Sequence, residues 1–83
     1  MKLAFIVIAF SYRKNEKGQN VLQAEPSIKC KSKDDALFKV GQLAESKAGV
    51  IAVSQEYDEE FDFIGKVTEL AQRGTVPDGL IDN

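Results

Sequence analysis

The densest group of titratable side chains in the chain is Glu56 to Asp62, EYDEEFD, in which Glu56, Asp58, Glu59, Glu60 and Asp62 place five carboxylates within seven residues. Asp58, Glu60, Asp62 and Glu69 even fall at positions 1, 3, 5 and 12 of a calcium-binding loop, yet position 6 is Phe63, where the turn of such a loop needs glycine. The acids are therefore expected to cap a helix and solvate a loop, with no metal and no cofactor held. A second group is basic: Arg13, Lys14, Lys17, Lys29, Lys31 and Lys33 are expected to project from one sheet edge and its adjoining loop. Such charges suit phosphate contacts, with Tyr12 near for base stacking. Against this stands the commoner duty of edge lysines, which is to block edge-to-edge aggregation.

The chain contains no histidine and a single cysteine, Cys30. That excludes Ser-His-Asp and Cys-His catalysis, histidine-based zinc sites and any thiolate metal cluster, so no catalytic residue is assigned and the protein is expected not to be an enzyme. One cysteine makes no internal disulfide, and the cytoplasm is the expected compartment. The opening MKLAFIVIAFSYRK has a lysine followed by an apolar run, but it is too short for either a signal peptide or a membrane span. It is read as a buried strand.

A length of 83 residues gives one small domain, and a net charge of −2 with 43% hydrophobic residues is that of an ordinary globule. The charge is unevenly spread. Residues 1–33 hold seven basic and two acidic side chains, and residues 34–83 hold four basic and eleven acidic ones, a balance of +5 against −7. An overall acidic chain is a poor general binder of nucleic acid.

The elements that position these groups follow from local pattern. Leu3 to Tyr12 is β-branched and aromatic, with Leu3, Phe5, Val7 and Ala9 on one face and Ala4, Ile6, Ile8 and Phe10 on the other, so it is expected to be a central strand covered on both sides. The polar stretch from Arg13 to Asn20 turns the chain back in a hairpin, and Val21 to Lys31 forms a second strand, interrupted by Pro26, that belongs at an edge or carries a bulge. Ser32 to Gly49 reads as a helix: Ser32 is the N-cap, Asp35 completes a capping box, and Gly49 follows Lys47 as the left-handed stop. Ala36, Leu37, Val40, Leu43 and Ala44 share its apolar side, and Gly41 lets it approach the sheet. Phe38 sits off that side and marks either a seat for the C-terminal tail or a surface for another chain. Val50 to Gln55 is a third strand, running parallel to the second on the far side of the first.

Residues 61–73 fit a helical wheel, with Phe61, Phe63, Ile64, Val67, Leu70 and Ala71 together, Asp58 as N-cap and Gly74 as the stop. The alternative is a fourth strand, Lys66 to Gln72, pairing with the third after a break at Gly65. The fold class is therefore α+β: a two-layer domain of strand, strand, helix, strand and C-terminal helix, or a fourth strand, on a mostly antiparallel sheet of three or four strands. Residues 75–83 are expected to be irregular.

The pattern from Gly49 through Val53, Ser54 and Asp58 to Leu70-Ala71, Gly74 and Val76-Pro77 resembles a class of small proteins of unknown function from bacteria and their phages. The resemblance covers the C-terminal half, implies glycine-containing hairpin geometry ahead of the Leu-Ala pair, and carries no activity or functional residue. The expected function is a non-catalytic interaction module that binds a protein partner through Phe38 or the acidic residues Glu56, Asp58, Glu59, Glu60 and Asp62, and forms a homodimer over whichever sheet face the helices leave bare. The alternative is a nucleic-acid or anion binder using the basic edge.

Overall fold

A computed structural model describes residues 2–60 and 63–77. The chain runs β1 (Lys2–Lys14), β2 (Asn20–Ala24), β3 (Ile28–Cys30), α1 (Lys33–Leu43), β4 (Gly49–Asp58) and β5 (Phe63–Gly74). One antiparallel sheet takes all five strands in the order β2-β1-β4-β5, with β3 also pairing with β1. The α+β class holds, with more sheet than expected.

The centre is the pair β1 and β4, whose register holds without a break from Lys2 opposite Tyr57 to Phe10 opposite Gly49. Val7, Val50 and Ile51 are the largest fully buried side chains of the fold. Each contributes about 1.5–3 kcal/mol by leaving water. Alternation sends Val7, Ala9, Val50 and Ala52 to one face, where Ala36 and Val40 of α1 and Cys30 join them. Ile6, Ile8, Phe10, Ile51 and Val53 point to the other, with Leu22, Val67 and Val76.

The second strand is two, because the chain leaves the ladder around Pro26. β2 pairs with Phe10 to Lys14, and β3 with Phe5 to Val7. β4 lies on the far side of β1 and runs in the same direction as β2, as expected.

The helix begins as its sequence dictates. Ser32 caps it by accepting from the Asp35 N–H at 3.1 Å, while the Asp35 carboxylate accepts from the Lys31 N–H at 3.0 Å, one residue further back than the usual box. It stops at Leu43, with Ala44 as C-cap, short of the expected Lys47 and Gly49. The reason is length. The chain leaves β3 level with Phe5 and must start β4 level with Phe10, a span of roughly 17 Å along β1, and eleven helical residues rise about 16 Å. A helix reaching Lys47 would overshoot.

Gly49 is therefore not a helix stop. It lies in β4 opposite Gly74, and a Cβ there would sit 1.8 Å from the Thr75 carbonyl oxygen. Gly74 has the expected positive φ, +68°, but at the end of a strand. The Thr75 N–H to Ala48 carbonyl bond at 2.9 Å closes the junction. Gly41, by contrast, has open space around it and brings nothing close.

Residues 63–74 form a strand, not the favoured helix, and Asp58 ends β4 rather than capping a helix. Phe61, Asp62 and residues 78–83 lie outside the described residues. From Tyr57–Gln55 on β4 the partners run Ile64–Val67 on β5, and from Val53–Ala52 they run Glu69–Ala71, so each step inserts one extra residue into β5. Two such bulges in one strand space its apolar residues as a helix would.

The two glycines in these different settings respond oppositely to a methyl group. Gly49→Ala meets rigid backbone and is expected to cost about 2 kcal/mol or more, lowering the thermal midpoint by roughly 10 °C or preventing folding. Gly41→Ala, in an exposed helix interior, is expected to gain about 0.5–1 kcal/mol. Thermal denaturation of both variants checks this; an unchanged Gly49→Ala protein would contradict the close approach.

Candidate functional site

The acidic residues gather at the end of the sheet where β4 turns into β5. Asp58 Oδ1 accepts from the Glu60 N–H at 3.0 Å, a side-chain turn that fixes the corner. Lys2, the first residue of β1, reaches Glu59 at 3.4 Å, an exposed pair of little energetic weight. Lys2, Tyr57, Asp58, Glu59 and Glu60 line a shallow groove of about 240 Å³. Glu56 lies one step up β4, opposite Leu3, and Asp62 falls outside the described residues. Glu69 pairs with Val53, five positions along β4 from Asp58 and so roughly 16 Å away. The calcium-loop spacing is thus spread along a hairpin. Among the described residues no group of three potential ligands gathers to hold a metal.

Phe38 is 65% exposed on the outward side of α1, and Leu37 beside it, expected on the buried side, is 38% exposed. The structure thus keeps Phe38 and the acidic corner apart, one on the helix layer and the other at a sheet end.

The basic residues are all exposed, and they form two groups instead of one. Arg13 and Lys14 end β1, and Lys17 sits in the turn beyond, where its N–H donates to Asn15 Oδ1 at 2.9 Å. Lys29 pairs with Ile6, with Lys31 and Lys33 following toward the helix start. Seven residues of β1, roughly 23 Å, separate the two groups. The first group has a form of its own: β1 and β2 continue past Gly49, the first residue of β4, so Ser11 to Lys14 and Asn20 to Gln23 make a two-stranded arm beyond the sheet.

At the root of that arm is a cluster that sequence reasoning did not find. The Ser11 hydroxyl donates to the Glu25 carboxylate, which also receives the Lys47 ammonium at 2.8 Å. Ser11, Tyr12, Arg13, Gln23, Ala24, Glu25 and Pro26 line a groove of about 450 Å³ beside it. The three residues are far apart in the chain, and only the fold brings them together. Lys47 and Ser11 hold the Glu25 carboxyl below its usual range. A carboxylate so stabilised is a poor base for activating a hydroxyl, and the cluster ties two connections together instead.

Cys30 is buried against the helix-side core, and burial, with the nearby Asp35 carboxylate, pushes its thiol up against the opposing pull of Lys39. It is a small core residue. No helix among the described residues is long and apolar enough to cross a membrane.

The Glu25 interaction has a pH signature. A carboxyl depressed in the folded state contributes stability above its ordinary pKa of 4.5, and that contribution is lost as pH falls through the folded value. Asp35, lowered by the Lys31 N–H and by Lys39, behaves in the same way from 3.8 downward. Glu25→Gln is expected to lower stability at neutral pH and to flatten its decline below about pH 4.5, measured by denaturant titration across pH. An unaltered pH profile would mean that the pair is not formed in solution. Compared with known protein families, with curated proteins and with solved structures, the chain matches none.

Proposed function

We propose that the protein is a non-catalytic interaction module of the cytoplasm that self-associates and binds a protein partner. The observation that carries this reading is the apolar surface left outside the core: Phe38 is 65%, Ile64 67%, Tyr12 56% and Leu37 38% exposed. Leu37 and Phe38 are adjacent on α1, and exposed aromatic and branched side chains side by side are characteristic of surfaces that other chains cover; Ile64 and Tyr12 lie apart from them, at opposite ends of the sheet. In this reading Phe38 and Leu37 are the anchor for the partner, and Glu56, Asp58, Glu59 and Glu60 steer a basic surface toward it. The phage-like resemblance of the C-terminal half adds a specific form, in which the acidic corner occupies a nucleic-acid site on the partner.

A second reading has its own support in the projecting arm. A two-stranded ribbon fits the major groove of a duplex, and Arg13, Lys14 and Lys17 lie along or at the tip of this one. Three phosphate contacts would give a slope of about −2.7 in log affinity against log salt.

Retention of lysate components on immobilised protein separates the two. A discrete protein held in stoichiometric amount by the wild type and lost from Phe38→Asp is the expected result. Nucleic acid released in a steep salt step, insensitive to Phe38→Asp and abolished by neutralising Arg13, Lys14 and Lys17, would overturn the first reading in favour of the second.

A further inference from the structure

The two-stranded arm has a bare face. Val7 and Ala9 point toward α1, so alternation along β1 sends Ser11 and Arg13 the same way, and their partners Gln23 and Val21 with them. The helix stops short of these residues: the turn after α1 meets β1 at Phe10, where the Ala48 N–H donates to the Phe10 carbonyl at 2.9 Å. Arg13 and Gln23 are exposed, and Val21 is 41% exposed. Ser11, Arg13, Gln23 and Glu25 line the groove of about 450 Å³ on this side. The outer side of α1 is bare as well. Asp34, Phe38 and Gly41, with Glu45 just past the helix, follow one another at steps of four, three and four, opposite the buried Ala36 and Val40. All four are exposed, so Phe38 stands between two acids, beside a glycine with open space around it.

We propose that each bare surface covers the other in a second copy of the chain: Phe38 of one copy seats in the groove of the other's arm, against Arg13 and Val21. The two copies are related by a two-fold axis that runs across the strands at the helix C-termini. Such an axis lays the second helix end to end with α1, in the layer that α1 leaves open over the arm. The lengths agree. Phe38 lies six residues before the C-cap Ala44, about 9 Å of helix, which equals roughly three residues of strand. Counted from Phe10, where α1 ends, three residues reach Arg13 and its partner Val21. Asp34, four residues earlier in the helix, then falls at the arm's tip beside Lys17. The Arg13 guanidinium over the Phe38 ring is a favourable cation contact, and Val21 packs on the same ring. Gly41, with no side chain, admits the arm next to Phe38. An occupant of these surfaces must bring an aromatic flanked by acids to the arm and a basic, partly apolar ribbon to the helix. This chain carries both, and one two-fold operation satisfies both twice, which is the reciprocity of an isologous contact. The basic first part of the chain and the acidic remainder face each other across it. The proposal rests on the self-association in the reading above and adds its surface and register, with the second copy as the chain that covers Phe38.

Sedimentation equilibrium of the whole chain and of variants at exposed positions tests it, with circular dichroism to verify that each variant folds. Lys17→Glu sets acid against acid at both contacts, and Asp34→Lys sets base against base; each is expected to weaken dimerisation about tenfold at low salt. An equimolar mixture of the two variants restores attraction at both contacts and is expected to dimerise as wild type does, as is the double variant. Phe38→Ser is expected to weaken the dimer at least tenfold, without charge rescue. Gly41→Gln separates contact from fold: a side chain there favours the helix but stands in the arm's path, so helix content is kept and dimerisation falls at least tenfold. Weakening by Lys17→Glu with no rescue in the mixture would overturn the pairing of arm and helix. A wild-type dimer indifferent to all these substitutions would overturn this surface and leave self-association standing. A monomeric wild type at tens of micromolar would overturn both.

Discussion

The structure depends on β1 being apolar on both sides. The eight residues Leu3 to Phe10 are uniformly apolar and alternate between the two faces, so they require cover above and below, and pairing with β4 doubles the requirement, because β4 is buried from Gly49 to Ser54. The chain supplies one helix among its described residues, and that helix is as long as the step from β3 to β4 permits. Everything on the helix side then follows: Ala36 and Val40 close over Val7 and Val50, Cys30 fills the remaining space, and the Gly49–Gly74 junction lets the backbones meet at the sheet's end. On the other side Phe10, Ile51 and Val53 are buried with Ile6, Ile8, Leu22, Val67 and Val76 packed against them, and Ile64 and Tyr12 stay at the surface at the two ends of that face.

Where local chemistry alone decides, the sequence was legible. Ser32 caps the helix because a hydroxyl at that position satisfies an otherwise free N–H, and no tertiary contact is needed to see it. The two faces of β1 follow from strict alternation. The edge position of the second strand follows from the donor that Pro26 lacks, but its division into β2 and β3 was not foreseen. Residues 63–74 were misread for a physical reason: each bulge adds a residue to β5, so apolar positions recur at intervals of three and four, the helical spacing. The alternative strand, Lys66 to Gln72, was the correct one, although the strand starts at Phe63 and runs through Gly65 without the expected break. The misplaced helix end has a different origin, since the stop is set by the distance to β4 and not by any residue within the helix. Gly49 offered a stop signal that a strand needed for another purpose.

The site was less legible than the fold. The basic residues looked like one patch because they were placed on one edge and its loop; they do share the β2 and β3 side of β1, but the length of β1 separates an arm-tip group from a group beside β3. The described part of the acidic run, Glu56 to Glu60, did end as a corner with Glu59 and Glu60 exposed and Asp58 shaping the turn. The Ser11–Glu25–Lys47 cluster left no local signal, because it joins residues from separate elements and depends on register. Charge asymmetry between the halves of the chain is expressed across strands, with bases toward the β2 and β3 edge and acids toward the β4–β5 corner.

The most direct test of whether a second copy covers what one helix leaves bare is an isotope-filtered NMR experiment on a mixture of labelled and unlabelled protein. The account predicts intermolecular contacts between the Phe38 ring and the Val21 methyl groups, and none from Ile64. Contacts confined to Ile64 and its neighbours, or no intermolecular contacts at millimolar protein, would contradict it.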